Sequence, residues 1–303
     1  MAGEASDDAA LVDAASWAAA GAYRDAPHTA VEETDRLRWL ITGTPYEGLN
    51  GVFWARGDDP RLISAGLRPF REAEVPMLWH VGATSLDTLR HWLPDAGLAT
   101  YSEDSGMVLS LNAAPAAPEA PVVAAAPEGL EIRQVGTMSE LRAWIKVWTR
   151  LAPPLLTQRL AALRSPVAFG FRPRTVHLLG VLDGAPVACA AVWVGQVRPV
   201  GGNQAGRRRD DPEAPVSQAS ANGRERPPGQ QRGPVAWLEH VTTAPQVRRC
   251  GIGGAMTRAC LQVARRRGAR RAVLTASPAA VSLYRRLGFQ QVSTVHRFFW
   301  TPR

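Results

Sequence analysis

A run of β-branched and aromatic residues, V-A-W-L-E-H-V-T-T at 235–243, is closed by Pro245 and followed at once by R-R-C-G-I-G-G at 248–254. Strand formers that stop at a proline predict a β-strand ending there. The glycines open a helical pattern reaching Gly268, with Met256, Leu261 and Val263 apolar and Arg265, Arg266 and Arg267 in the last turn, where cations suit the helix dipole. This order of strand, glycine loop and helix constrains the chain more than any other feature. The first four N–H groups of a helix have no intrahelical partner and carry partial positive charge. Gly251, Gly253 and Gly254 keep side chains out of their way and permit unusual backbone angles, while Arg248 and Arg249 add charge beside Cys250 and Ile252. Such a helix start can hold a diphosphate. No G-K-[ST] follows, so the loop is not a Walker loop, and its spacing also misses the dinucleotide fingerprint.

A second segment, S-P-A-A-V-S-L-Y-R-R-L-G-F at 277–289, follows an expected strand at 272–275. Together the two segments resemble the GNAT acetyltransferase superfamily. Arg248, Gly251 and Gly253 match its R-x-x-G-x-G/A signature, and Ser277, Ala280, Leu283, Tyr284, Gly288 and Phe289 occupy the places of its N-x-x-A-x-x-L-Y-x-x-x-G-F segment. Ser277 stands where Asn is usual, which removes one polar contact. The resemblance extends over residues 129–303 and implies acetyl-CoA as co-substrate, its pyrophosphate on the loop 248–254 and its thioester carbonyl near the main-chain N–H groups of Val241 and Thr242. It further implies a phenol, here Tyr284, beside the sulfur as general acid, and a carboxylate or histidine on the preceding strand as base.

Acetyl transfer to an amine needs that base, because an alkylammonium with a pKa near about 10.4 is not nucleophilic at neutral pH. Glu239 and His240 are adjacent on an expected strand and so point to opposite faces. Glu239 is the favoured base, since Trp237 and Val241 on its own face would raise its pKa. The phenol of Tyr284, near about 10, is matched to a thiol near about 8.5. The expected activity is transfer from acetyl-CoA to a primary amine of a small molecule or peptide. The alternative is an acyl-CoA-binding sensor in which Glu239 and Tyr284 do no chemistry.

Charge supports a polyanionic ligand. Residues 245–303 hold twelve Arg and no Asp or Glu, so against a net charge of +8 everything upstream sums to −4. Nucleic acid is the competing ligand for such a field, but no zinc-finger spacing, RNP-like aromatic run or recognition helix accompanies the arginines. Lys146 is the only lysine, which makes part of the arginine excess compositional. Cys189, Cys250 and Cys260 lack metal-ligand spacing, and an odd count without an export signal is expected of reduced thiols in a cytoplasmic protein. No apolar run approaches the ~20 residues of a membrane span, so neither a metal nor a membrane is expected. Oligomeric state is left open.

At 303 residues with 46% hydrophobic composition the chain is long enough for two domains. An Ala/Pro-rich linker at 113–128 separates residues 1–112 from residues 129–303, and a low-complexity stretch at 196–233 is expected to be a disordered insertion in a hairpin loop. The second unit is expected to be α/β, a mixed central sheet flanked by helices in the order β-α-α-β-β-β-α-β-α-β. In the first unit, helices at 9–23 and 32–42 precede a strand at 50–56, a helix at 60–73, a strand from Met77, a helix at 86–93 and a strand at 107–111. That order parallels residues 235–300, with Gly97-Leu98 in the place of Gly288-Phe289, and is expected to form a smaller degenerate copy of the same fold. Its anion loop is lost: Gly57-Asp58-Asp59-Pro60 puts two carboxylates at the helix start, where they cap the helix and repel a diphosphate. Leu93 stands where the parallel requires a tyrosine.

Overall fold

The halves are joined through two long strands, each inserted among the strands of the other half. The computed structural model describes residues 2–85, 87–112, 125–149, 154–164, 174–198 and 233–302. In chain order the first half gives helix α1 (Ala2–Ala20), strands β1 (Ala30–Glu33), β2 (Leu37–Ile41) and β3 (Gly51–Ala55), helix α2 (Arg61–Glu72), β4 (Met77–Val81), α3 (Leu89–Asp95) and β5 (Ala99–Ser110). The second half gives β6 (Glu131–Gln134), α4 (Met138–Trp148), α5 (Pro154–Arg164), β7 (Thr175–Leu182), β8 (Ala185–Gly195) and β9 (Val235–Thr243). Helix α6 (Ile252–Arg266), β10 (Arg271–Ala276), α7 (Val281–Arg286) and β11 (Gln290–Trp300) complete it. All the strands belong to one 11-stranded mixed sheet in the order β1-β2-β3-β4-β11-β5-β10-β9-β8-β7-β6.

β11 therefore lies between β4 and β5 of the first half, and β5 lies between β10 and β11 of the second. Their antiparallel register is symmetric about the pair Val295↔Asp104: Gln290↔Val108 at one end answers Phe299↔Ala99 at the other, and Ser293↔Gly106 answers Arg297↔Ser102. Even the two bulges, which skip Val292 on β11 and Tyr101 on β5, are equivalent. Gly97 and Gly288 enter the two strands with φ of 89° and 92°, a left-handed conformation that costs glycine little and explains the parallel seen in sequence. The cores are exchanged too. Phe298 of β11 packs among Leu67, Phe70, Trp79 and Leu93 of the first half, and Met107 of β5 packs with Met256, Leu274 and Tyr284 of the second.

Local sequence accounts for most elements. The side chain of Thr137 accepts from Glu140 N–H and the Glu140 carboxylate accepts from Thr137 N–H, a capping box that starts α4. Asp59 Oδ1 accepts from Arg61 N–H at 2.9 Å, as expected of a carboxylate at the start of α2. Residues 32–42 depart from expectation, forming parts of β1 and β2 where a helix was expected. Thr34 closes the turn, its N–H donating to Leu37 O at 2.9 Å and its hydroxyl accepting from Leu37 N–H, and Leu37, Trp39 and Ile41 alternate into the core. Tertiary burial of a period-two face overrides the helical preference of the Glu-Glu pair. The final strand of the first half is also longer than the expected 107–111. Of the linker and the insertion, residues 113–124 and 199–232 lie outside the described residues.

Helix α1 lies across the middle of the sheet, with Leu11, Val12 and Ala15 against Trp193, Trp237, Val273 and Val295. It is tied down by Asp13, whose Oδ2 accepts from the Thr84 N–H at 2.8 Å and from the Thr84 hydroxyl at 2.6 Å. The small side chains along α1 let it approach the sheet closely and roof a cavity on its surface.

Candidate active site

Strand β9 carries most of the site. It pairs in parallel with β10 only from Val235↔Arg271 to Trp237↔Val273, so beyond Trp237 the two strands part and the β9 main chain on that side has no strand neighbour. On its other side the antiparallel register with β8 shifts between Cys189↔Thr242 and Ala191↔Glu239, and His240 takes a φ of 56° at this bulge. The bulge corrects the expectation that Glu239 and His240 face opposite ways. Both side chains turn into one cavity, with His240 Nε2 3.3 Å from Glu239 Oε1. His240 rests on Trp148 at 4.3 Å between ring centroids and meets Trp144 edge-on at 5.7 Å, while Trp144 is fixed by donating from Nε1 to Ala190 O at 3.0 Å.

Two spaces meet along β9. The first is a cavity of about 260 Å³ under α1, lined on β9 by Trp237, Leu238, Glu239 and His240 and reaching Phe53, His80 and Arg297. The second is a groove of about 730 Å³ between α4 and the end of β9, bordered by Arg142, Lys146, Thr242, Thr243 and Gln246. Val241 is the residue between them on the strand.

Past the groove, the chain turns through Pro245–Val247 to the glycine loop. Gly251 is the cap of α6, in the left-handed conformation at φ 78°, and no side chain caps the helix. Arg249 is also left-handed at φ 67°, and Arg248, Arg249 and Cys250 are exposed. Arg248 Nε donates to Thr243 O at 3.1 Å, which draws the loop against the end of β9. A Cβ on Gly253 would meet only Leu283 and Thr243 at ordinary distances, so this glycine matters less for space than Gly251 does for conformation. An uncapped helix start flanked by exposed arginines fits a diphosphate on charge and on donors. Replacing Gly251 with Val forces a β-branched residue into the left-handed region. If this loop is a diphosphate site, the affinity of that variant for a diphosphate-bearing cofactor, measured by calorimetry, is expected to fall by about tenfold or more, from roughly 1–3 kcal/mol of strain plus lost approach.

Tyr284 lies in α7, 6% exposed, edge-on to Phe289 and hydrogen-bonded to Thr257, whose hydroxyl in turn donates to Gly253 O at 2.8 Å. It is thereby linked to the first turn of α6. Burial pushes its phenol well above the usual tyrosine value, with Cys260 adding to the shift. The expected match to a thiol is therefore poorer than sequence alone implied, and the phenol stays protonated throughout the neutral range. The Cys260 thiol, wholly buried nearby, is pushed up to about 12 by burial and by Cys189. Cys250 is exposed, its Sγ 3.5 Å from Arg248 O. Ser277 is exposed in the turn before α7, where its carbonyl accepts from Ala280 N–H at 2.8 Å.

Sequence reading missed the floor of the cavity. Arg297 of β11 pairs with Asp104 of β5, donates from Nη2 to Thr275 Oγ1 at 2.7 Å and from Nε to His80 Nδ1 at 3.3 Å. Burial lowers the pKa of His80 far below the usual histidine value, and the charge of Arg297 lowers it further, so the ring is neutral. Arg271, similarly, pairs with Asp8 of α1. Two of the twelve C-terminal arginines thus serve the fold and not an outward field. Among the described residues no group of three or more His, Cys, Asp or Glu could hold a metal ion, and no helix is long and apolar enough to cross a membrane.

Comparison with known proteins places this geometry. The family model described as "Acetyltransferase (GNAT) family" matches residues 139–289. Among solved structures, a GCN5-related N-acetyltransferase from Kribbella flavida is 19% identical, with 97% of this chain and 96% of that chain covered at a TM-score of 0.57. A functionally unknown conserved protein from Staphylococcus epidermidis is 10% identical over 90% of this chain and 93% of that chain, at a TM-score of 0.55. A tandem GNAT protein from the clavulanic acid biosynthesis pathway is 16% identical, covering 92% of this chain and 85% of that chain at a TM-score of 0.50. No curated protein matches the chain.

Proposed function

Since residues 139–289 of this chain belong to the GNAT acetyltransferase family, we propose that the protein transfers an acetyl group from acetyl-CoA to a primary amine by direct attack. The observation that carries this reading is the bulge in β9, which turns Glu239 and His240 into the cavity while the next residues, Thr242 and Thr243, border a separate groove leading to the uncapped start of α6. One space suits the acceptor and the other the cofactor, and they adjoin at Val241.

In this reading the N–H groups at the start of α6, with Arg248 and Arg249, hold the pyrophosphate, and the main chain at Cys250–Gly254 lies against it. Ser277, exposed in the turn before α7, takes the place of the usual Asn toward the cofactor. Acetyl-CoA supplies the activated acyl group as a thioester. The main-chain N–H groups of Val241 and Thr242, fixed before the reaction by the sheet, hold the acyl oxygen. The Glu239 carboxylate takes one proton from the acceptor ammonium, and His240, in contact with it, orients that carboxylate. As the C–N bond forms and the C–S bond breaks, the amine loses a second proton. Tyr284, whose hydroxyl proton is shared with Thr257 in the free protein, turns it toward the departing sulfur, and the products are amide, thiol and one proton released to solvent. Residues 1–112 and 129–303, linked through 113–128, act as one catalytic unit in which the first half binds no acetyl-CoA and instead shapes the acceptor side.

Thiol release from acetyl-CoA with a panel of amines tests the reaction, and calorimetry tests cofactor binding separately. Tight binding without thiol release for any amine would leave a sensor and not an enzyme. Tyr284→Phe is expected to lower kcat by about 10–100-fold, the range of one transition-state hydrogen bond to a charged group, with less effect on the KM for acetyl-CoA. Because burial raises the phenol, the wild-type rate should show no alkaline limb from Tyr284 below its ordinary titration range near about pH 10. An unchanged kcat in the variant removes Tyr284 from the chemistry.

A further inference from the structure

The cavity under α1 has walls from both halves, and their chemistry bears on which amine enters. This step rests on the acetyl-transfer reading above. Tyr23, Tyr46, Phe53, Tyr101 and Trp237 make the walls aromatic. Two carboxylates line it: Glu239 at the β9 end, and Glu47 in the short Glu47–Leu49 turn, which shares a hydrogen bond with the phenol of Tyr101. The cationic candidates on the floor are already committed. Arg297 is paired with Asp104 and further donates to Thr275 and His80, and His80 is neutral and stacked on Phe53 at 4.9 Å between ring centroids. With the Arg297–Asp104 pair cancelling, the acidic groups facing the cavity are these two carboxylates at its opposite walls, Glu239 in contact with His240 and Glu47 with Tyr101, in a chain whose net charge is +8. Aromatic faces and carboxylates both attract cations, and the attraction strengthens where water is excluded.

We infer that the acceptor is a short aliphatic diamine: one ammonium is presented to Glu239 and converted to the amide, while the other keeps its charge and is held by Glu47 against the aromatic wall. A cavity of about 260 Å³ between the two carboxylates has room for two amino groups joined by a few methylenes. The product carries one positive charge fewer, which weakens its hold on the cavity and favours its release. Glu47 comes from the first half, so this assignment also gives that half a role: it provides the second charge recognition that the strand β9 does not contain.

The test uses the full-length protein with saturating acetyl-CoA and follows thiol release with putrescine and cadaverine, with butylamine and pentylamine, and with γ-aminobutyrate. The diamines are expected to exceed the monoamines of equal length in kcat/KM by about tenfold or more, the effect of one charge-assisted hydrogen bond, with γ-aminobutyrate the poorest. Glu47→Gln is expected to bring the diamine-to-monoamine ratio close to one, with acetyl-CoA binding heat confirming that the variant is folded. The wild-type series decides the matter even if that variant does not fold. Monoamines equal to or better than diamines, or a preference for γ-aminobutyrate through Arg297, would overturn the diamine assignment while leaving acetyl transfer intact. Thiol release with none of them, despite binding of acetyl-CoA, would instead count against the acetyl-transfer reading on which the assignment rests.

Discussion

Residues 1–112 produced without the rest of the chain will fail to form a cooperatively melting domain, and residues 113–303 alone will do no better. The reason lies in the strand order. β4 and β5 belong to the same half but are not neighbours; β11 separates them, pairing with β4 from His296↔Val81 to Trp300↔Met77 and with β5 along nearly its whole length. Removing β11 leaves two buried strand edges without partners and takes Phe298 out of the core of the first half, a loss that by itself is worth about 3–5 kcal/mol. The reciprocal fragment loses β5, and with it Met107, and is stripped of α1. Circular dichroism of each fragment should show no sigmoidal unfolding, and mixing the two during refolding should restore it. A monomeric 1–112 fragment that melts sharply would show that the exchange of strands is dispensable.

Glu239→Gln is expected to reduce kcat/KM by about 10²–10⁴-fold, the range of a lost general base. The substitution keeps size and hydrogen-bonding capacity, so the sheet and the contact with His240 survive and the loss reports proton transfer. His240→Ala should cost less, since in this mechanism the ring positions the carboxylate and packs on Trp148. If the rate of the Glu239 variant is unaffected and that of the His240 variant collapses, the roles are reversed, and the bulge that brings both into one cavity explains how either could serve.

The two substitutions also mark where sequence reading reached its limit. Alternation along a strand is a local rule, and it placed Glu239 and His240 on opposite faces; the bulge that defeats it is set by the register against β8, fifty residues away in sequence. The hairpin of β1 and β2 was hidden for a related reason, because Glu32 and Glu33 are compatible with a helix until Trp39 and Ile41 find the core. Tyr284 was found from its motif, yet its burial against Thr257 and Cys260, which sets its acidity, was not encoded near it.

What the sequence determined by itself is whatever consecutive residues can specify: the β9 strand and its stop at Pro245, a helix start stripped of side chains, the Thr137–Glu140 capping box, and the repeated Gly97-Leu98 and Gly288-Phe289 entries that betray two copies of one pattern. Only the tertiary structure decided that β5 and β11 change places about the Val295↔Asp104 pair, and that Arg297, Asp104, His80 and Thr275, drawn from four strands, meet at the floor of one cavity. Helix caps and turns are satisfied by neighbours within a few residues, so they leave a local trace. A strand's unpaired N–H and C=O groups accept any partner of suitable length, so which strand pairs with which is settled by the shared burial of both faces and not by any stretch of sequence read alone.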